Sequence, residues 1–182
     1  MKIKTIILGE SGVGKTRFLN YLRNKEIQNS CPTVGVDYVV YKSECNIILQ
    51  IWDTSGSERF RAVVNNFVKG VDLCVFVYNS ESSFQYIMNQ IANVKKRGYG
   101  KRFCIISFDK PSLGKQIASK FGFFFFHVNI TNKVDCISVL EQLSRLCLNE
   151  QKRCNFLELE TADKPKIKRS RETSGYCWLS FC

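Results

Sequence analysis

The stretch that decides the fold is Gly9-Glu10-Ser11-Gly12-Val13-Gly14-Lys15-Thr16. It satisfies the pattern G-x-x-x-x-G-K-[ST] and lies between a predicted strand and a predicted helix, where this motif has to lie. Its glycines let backbone amides curl around phosphate oxygens. We therefore expect a phosphate-binding loop in which Lys15 reaches the terminal phosphates and the Thr16 hydroxyl binds Mg²⁺. The alternative is a chance glycine turn, and the agreement of motif and context argues against it.

Six apolar segments alternate with amphipathic helical patterns along the chain. This alternation predicts right-handed crossovers and a mainly parallel sheet between helices. The short polar link between residues 36–41 and 47–52 predicts a hairpin. The expected fold is α/β, a P-loop NTPase whose mainly parallel six-stranded sheet carries helices on both faces. The predicted strands are 3–9, 36–41, 47–52, 73–79, 103–108 and 123–128, and the predicted helices are 15–24, 58–69, 83–97, 112–121 and 134–148. The apolar runs 73–78 and 123–126 are predicted to be central strands, buried on both faces.

Composition excludes several classes of protein. The chain has 182 residues and is 45% hydrophobic, which is enough for a packed core. Its longest apolar run, Leu73 to Tyr78, is far shorter than the ~20 residues of a membrane span. Nine cysteines without a Cys-x-x-Cys pair argue against a zinc ribbon and favour reduced thiols inside a cell. The formal net charge of +11 suits an anionic partner, without choosing between nucleic acid, phospholipid and nucleotide.

A second motif, Asp53-Thr54-Ser55-Gly56-Ser57-Glu58-Arg59-Phe60-Arg61, follows a predicted strand. An Asp at this place can hold the shell of Mg²⁺, and the Gly lets a backbone amide approach a γ-phosphate. Together with the phosphate loop and Thr33-Val34-Gly35-Val36-Asp37-Tyr38, the motif resembles the Ras-like small GTPases. The Rab branch is the most similar, and the resemblance covers about residues 2–148.

The resemblance implies a role for each matching residue. Lys15 matches the phosphate lysine, and Thr16 and Thr33 match the two magnesium-ligating hydroxyls. Asp53 matches the acidic residue behind the metal, and Gly56 matches the γ-phosphate sensor.

The resemblance also implies a function. Residues 31–38 would form switch I and residues 53–67 switch II, the surfaces through which effector and regulator proteins bind. The implied protein binds GTP or GDP with Mg²⁺, hydrolyses GTP, and acts as a switch in vesicle traffic.

Two departures from the family pattern bear on activity. Ser57 stands where family members usually have Gln, whose amide orients the attacking water, so we expect slow hydrolysis with Lys15, Gly56 and Ser57 as the catalytic set. The guanine-binding Asn-Lys-x-Asp is replaced by Phe108-Asp109-Lys110-Pro111. Asp109 and Asn129 are candidates for the base pocket, but Asp109 could equally cap a shortened loop. The preference for guanine therefore rests on the resemblance.

Two other functions stay open at this stage. One is a pseudo-GTPase, an interaction module that keeps the switch surface without cycling between states. The other is a P-loop protein of relaxed nucleotide specificity, which the altered base motif allows.

Residues 151–182 are predicted to form a flexible basic tail after a GTPase domain of residues 1–150. Residues 164–171 carry five positive charges, each worth about 1 kcal/mol near an anionic leaflet. Since Rab proteins end in prenylated cysteines, we expect lipidation of Cys182, or failing that of Cys177, and a cytoplasmic protein peripheral on membranes. The ending is not a C-a-a-X box, so a basic tail with free thiols is the alternative. Nucleic acid is a less favoured partner.

Overall fold

The structure, a computed structural model, describes residues 1–23 and 33–162. The chain divides into two units, Met1–Leu148 and Asn149–Cys182, and the sheet belongs to the first. The predictions for residues 24–32, which include the start of switch I, lie outside the described residues. So do those for residues 163–182, with the basic stretch, Cys177 and Cys182.

A six-stranded sheet forms the centre of the first unit. Its strands are β1 (Lys2–Leu8), β2 (Val36–Lys42), β3 (Ile48–Thr54), β4 (Leu73–Tyr78), β5 (Arg102–Ser107) and β6 (Phe124–His127). They lie in the order β2-β3-β1-β4-β5-β6. The β2–β3 hairpin is antiparallel and all other neighbours are parallel. The predicted mainly parallel sheet and its hairpin are therefore confirmed.

Five α-helices accompany the strands in the described residues. They are α1 (Lys15–Asn20), α2 (Arg61–Phe67), α3 (Glu81–Lys96), α4 (Pro111–Phe121) and α5 (Lys133–Ala162). Short 3₁₀ turns follow α1 and precede α2. One hydrophobic cluster contains side chains of α1 and α5, and the other contains side chains of α2, α3 and α4. Helices thus cover both faces of the sheet, as predicted. None of the helices in the described part of the chain is both long and apolar enough to cross a bilayer.

Two details differ from expectation. The helix predicted to end at residue 148 continues to Ala162, because residues 149–162 are rich in Glu, Gln, Lys, Arg and Leu, which favour helix even where apolar periodicity fades. The run 123–126 was predicted to be buried on both faces, and this was wrong. Phe123 precedes β6, residues 124–126 lie in it at the edge of the sheet, and all four phenylalanines are only half-buried. The run 73–78 is fully buried in β4, as expected.

The order of the strands places the candidate site. β1 and β3 are parallel neighbours, and Ile7 of β1 lies opposite Asp53 of β3. The hydroxyl of Thr54 donates a hydrogen bond of 2.6 Å to the carbonyl oxygen of Ile7, which fixes the two strand ends together. The loops of both glycine-containing motifs therefore leave the sheet side by side, at the carboxyl ends of β1 and β3.

Candidate functional site

A cavity of about 170 Å³ lies where β1 and β3 end. Its walls come from the phosphate loop, the start of α1, the residue Thr33 and the loop after β3. The lining residues are Ser11, Gly12, Gly14, Lys15, Thr16, Arg17, Thr33, Thr54, Ser55 and Gly56. Three segments that are distant in the sequence therefore meet at one site, as the two motifs predicted.

Glycine is required at several positions of the phosphate loop. Gly12 and Gly14 have φ of 81° and 105°, a left-handed conformation that side chains disfavour. A Cβ on Gly9 would lie 2.5 Å from the carbonyl oxygen of Val77, and a Cβ on Gly14 would lie 2.5 Å from Cδ1 of Ile130. The loop can therefore follow this path only with glycines at these positions.

Lys15 lies inside the loop and is 5% exposed. Its Nζ donates hydrogen bonds of 2.9 Å and 2.8 Å to the carbonyl oxygens of Gly9 and Glu10. Burial lowers the pKa of Lys15 to about 8, although the charges of Asp53 and Glu10 oppose this shift. The ammonium group is thus desolvated and held beside the cavity, where it interacts strongly with an anion.

Three side-chain oxygens converge next to Lys15. The hydroxyls of Thr16 and Thr33 are 2.7 Å apart, and the Thr16 hydroxyl donates a hydrogen bond of 2.7 Å to Oδ2 of Asp53. The Asp53 side chain is fully buried. Hydroxyl and carboxylate oxygens are the hard ligands that Mg²⁺ prefers. The donor set therefore fits the metal that the sequence predicts.

Gly56 lies against the phosphate loop from the other side. A Cβ at this position would overlap backbone atoms of Glu10 and Ser11, so a side chain has no room. The carbonyl oxygen of Gly56 accepts a long hydrogen bond of 3.4 Å from the hydroxyl of Tyr86 on α3. The predicted γ-phosphate sensor is therefore packed between the phosphate loop and a helix.

Ser57 does not line the phosphate cavity. It lines a smaller neighbouring cavity of about 10 Å³ with Asn65, Tyr86 and Gln90, among others. Its backbone amide donates a hydrogen bond of 3.3 Å to Oγ of Ser55. Of the predicted catalytic set, Lys15 and Gly56 thus share one cavity, and Ser57 lies next to it.

The two candidates for the base pocket do not line the cavity. Asp109 is exposed after β5. Oδ1 of Asn129 accepts hydrogen bonds from the amide and the hydroxyl of Thr131, at 3.0 Å and 2.6 Å. Asn129 therefore stabilises its own turn, and neither residue is among those that line the cavity.

The other two predicted loop residues, Glu10 and Val13, support the loop in different ways. Glu10 supplies the carbonyl that holds Lys15, and Val13 is buried in the core. The sequence interpretation missed Arg17, Thr54 and Ser55, which also line the cavity. Their position directly after Thr16 and between Asp53 and Gly56 is the signal that could have found them.

An exposed apolar surface lies beside the site. Val34 is 79% exposed and Tyr38 45% exposed, and Val40 continues the surface along β2. The ring of Tyr38 packs edge-on against Trp52, with centroids 5.1 Å apart. Apolar side chains that remain in water next to a ligand cavity are typical of a protein-binding surface.

Comparisons with known proteins agree with this geometry. The protein-family model described as "Ras of Complex, Roc, domain of DAPkinase" matches residues 4–110, more than half of the chain. The Ras-related protein RABG3b of Arabidopsis thaliana is 44% identical over 93 residues, which are 48% of this chain and 46% of that protein. The Ras-related protein Rab-7B of Dictyostelium discoideum is 44% identical over 77 residues, 42% of this chain and 39% of that protein. The Ras-related protein Rab7 of Pisum sativum is 43% identical over 93 residues, 48% of this chain and 45% of that protein.

The chain spans less than half the length of the curated relatives it matches. The matching family model covers the phosphate loop, the residues Thr16, Thr33 and Asp53, and the loop after β3. The chain therefore belongs to the Ras-like superfamily of small GTPases and is similar to its Rab members.

Proposed function

We propose that the chain is a Rab-like switch that binds GTP or GDP with Mg²⁺, hydrolyses GTP slowly, and acts in vesicle traffic. The observation that carries the proposal is the convergence of Thr16, Thr33 and Asp53 beside the buried ammonium group of Lys15. These groups come from three separate segments, and together they suit a magnesium-bound polyphosphate.

The phosphate loop performs the binding. Its amides and Lys15 would surround the phosphate oxygens of a nucleotide in the cavity that they line. Mg²⁺, when bound, neutralises charge that develops on the phosphates. Thr16, Thr33 and Asp53 would hold it.

The switch action depends on Thr33 and Gly56. Both line the cavity, and each begins a segment that continues to the surface: Thr33 precedes the exposed Val34, and Gly56 precedes α2. A γ-phosphate that engages both residues would order both segments, and its loss would release them. Effector and regulator proteins would then bind the ordered form at the surface of Val34, Tyr38 and Val40.

Slow hydrolysis follows from Ser57. Its side chain is too short to orient a water molecule over the phosphate cavity, which it does not line. Positioning is most of what a GTPase contributes to phosphoryl transfer, so the rate should be low.

Membrane association is part of the same proposal and rests on the sequence of residues 164–182. The basic stretch would attract an anionic leaflet on the cytoplasmic side, and a lipid on Cys182 would supply the second signal that stable anchoring requires. Intact-mass spectrometry of protein made in eukaryotic cells tests the lipid. A mass equal to that of the bare polypeptide would contradict this part of the proposal.

The decisive experiment identifies the nucleotide that the protein carries. Purified full-length protein is denatured, and the released nucleotide is identified by chromatography. Guanine nucleotide in near-equal amount to protein is expected, and Lys15→Ala should carry none. Adenine nucleotide would instead indicate a P-loop protein of relaxed specificity, and no nucleotide would indicate a pseudo-GTPase.

A further inference from the structure

Arg17 is the one long cationic side chain besides Lys15 that lines the phosphate cavity in the described residues. It follows Thr16 directly, in the first turn of α1. The motif does not specify this position, so the sequence assigned Arg17 no role. Its neighbours in the cavity wall are the groups that surround the phosphates.

The guanidinium of Arg17 is unusually placed for a surface arginine. Its Nε is buried, and it donates to no acceptor among residues 1–23 and 33–162. A buried donor without an acceptor costs about 1–3 kcal/mol, and more when the group is charged. Buried polar groups in proteins are nearly always hydrogen-bonded, so the folded chain by itself leaves the side chain of Arg17 unsatisfied.

Several acceptors of the phosphate loop and of β3 already hold other donors. Oδ2 of Asp53 accepts from Thr16, and the carbonyl oxygens of Gly9 and Glu10 accept from Lys15. The charge of Arg17 also acts on the start of α5. There, burial raises the pKa of the Cys136 thiol to about 11, as does Asp135, and the positive charge of Arg17 opposes the shift.

We propose that Arg17 is a second phosphate-binding cation of this site, whose guanidinium donates to an oxygen of the diphosphate shared by GDP and GTP. The proposal deepens the proposed function and rests on it. The planar fork of arginine matches the geometry of phosphate oxygens better than any other side chain does. Lys15 and Arg17 would then together neutralise the negative charge of the bound phosphates. Lys15 would do so at the terminal phosphate, beside Gly56.

The test measures the binding of GDP, GTP and inorganic pyrophosphate to the full chain in Mg²⁺, by calorimetry or by competition with a fluorescent guanine nucleotide. Arg17→Gln should weaken all three ligands by a similar factor, about tenfold or more, because one charge-assisted hydrogen bond is lost. Arg17→Lys should retain part of the affinity, since it keeps the charge but not the fork. Arg97→Gln is the matched control: Arg97 is exposed after α3, outside the cavity, and the same substitution there should change nothing.

Thermal unfolding of the protein without ligand separates binding from a structural role. Arg17→Gln removes a buried donor that lacks an acceptor, so the melting temperature should stay the same or rise. A lower melting temperature with unchanged affinity would overturn the proposal. Weaker nucleotide binding with unchanged pyrophosphate binding would also overturn it, because the contact would then be to the nucleoside.

The variant Lys15→Ala distinguishes a failure of the inference about Arg17 from a failure of the proposed function. If wild type binds nucleotide and Lys15→Ala does not, while Arg17→Gln equals wild type, only the inference about Arg17 fails. If wild type binds none of the three ligands, or Lys15→Ala binds them as tightly as wild type, the proposed function itself fails, and the inference with it.

Discussion

Gly56 packs directly against the backbone of Ser11, so the loop after β3 and the phosphate loop touch without an intervening side chain. This contact joins the two motifs that define the site. If the chain acts as the proposed switch, this close packing would let a movement of one loop displace the other.

The contact predicts the effect of Gly56→Ala. The added methyl group would overlap backbone atoms of Glu10 and Ser11, and backbone cannot move aside as a flexible side chain can. We expect the free energy of unfolding to fall by about 1–3 kcal/mol, the usual cost of overpacking. Denaturant titration checks this, with Ser55→Ala as a control that adds no atoms. Unchanged stability in Gly56→Ala would show that the two loops are not in contact.

Removal of the Lys15 ammonium is expected to abolish nucleotide binding. In Lys15→Ala the buried positive charge beside the cavity is lost, and no other lysine lines the cavity in the described residues. Calorimetry with GDP and Mg²⁺ measures the effect. Lys115→Ala, at an exposed position on α4, should bind like wild type, and binding by Lys15→Ala would refute the assignment.

Ser57→Gln is expected to hydrolyse GTP faster than wild type. Glutamine adds the amide and the reach that serine lacks, and it can orient water over the γ-phosphate. Single-turnover assays on preloaded protein measure the rate. Ser57→Asn carries the amide on a shorter side chain and should gain less. A wild-type rate equal to that of Ser57→Gln would mean that the water is positioned by another group.

The stability of the fold should depend on pH through Asp72. Burial raises the pKa of this carboxyl group, but the hydrogen bonds from Lys101 and from the backbone amide of Lys4 outweigh burial, and the net pKa is below its ordinary value. The folded state therefore binds a proton less readily than the unfolded state. The stabilisation is present at neutral pH and is lost as pH falls through the ordinary carboxyl value and then the lower, folded one.

The substitution Asp72→Asn tests the direction of this pH dependence. At pH 7 the variant should be less stable than wild type by about 1 kcal/mol, and the difference should shrink below about pH 4. Lys101→Gln removes the more exposed partner of Asp72, so it should lower the free energy of unfolding by less. A difference that grows toward low pH would contradict the assignment.

Neutralisation of the basic residues at 164–171 is expected to weaken binding to acidic vesicles. Each positive charge contributes about 1 kcal/mol at an anionic surface, and salt screens the attraction. Co-sedimentation with phosphatidylserine vesicles at low and at physiological salt measures this, with neutral vesicles as the control. Equal binding by wild type and the neutralised variant would remove the electrostatic part of the proposal.

The sequence was most informative where a motif fixes the backbone. Gly9–Thr16 determines its own loop, and the end of a parallel strand determines where Asp53 lies, so the convergence of Thr16 and Asp53 could be predicted. The position of β6 at the edge of the sheet could not be predicted. An apolar run indicates that a strand packs on both faces, but it does not show how many neighbouring strands it has. Arg17 was missed for another reason: its role depends on whether its side chain turns toward the cavity, which spacing does not encode.

The phenylalanine-rich strand β6 has a consequence for handling the protein. Within residues 1–23 and 33–162 it pairs with β5 alone, and its rings are half-buried, so its outer edge offers backbone groups and apolar surface to another chain. Such an edge is a template for strand addition between molecules. On heating or at high concentration, we expect β6 to initiate aggregation, and a charged residue introduced at the exposed His127 should delay it.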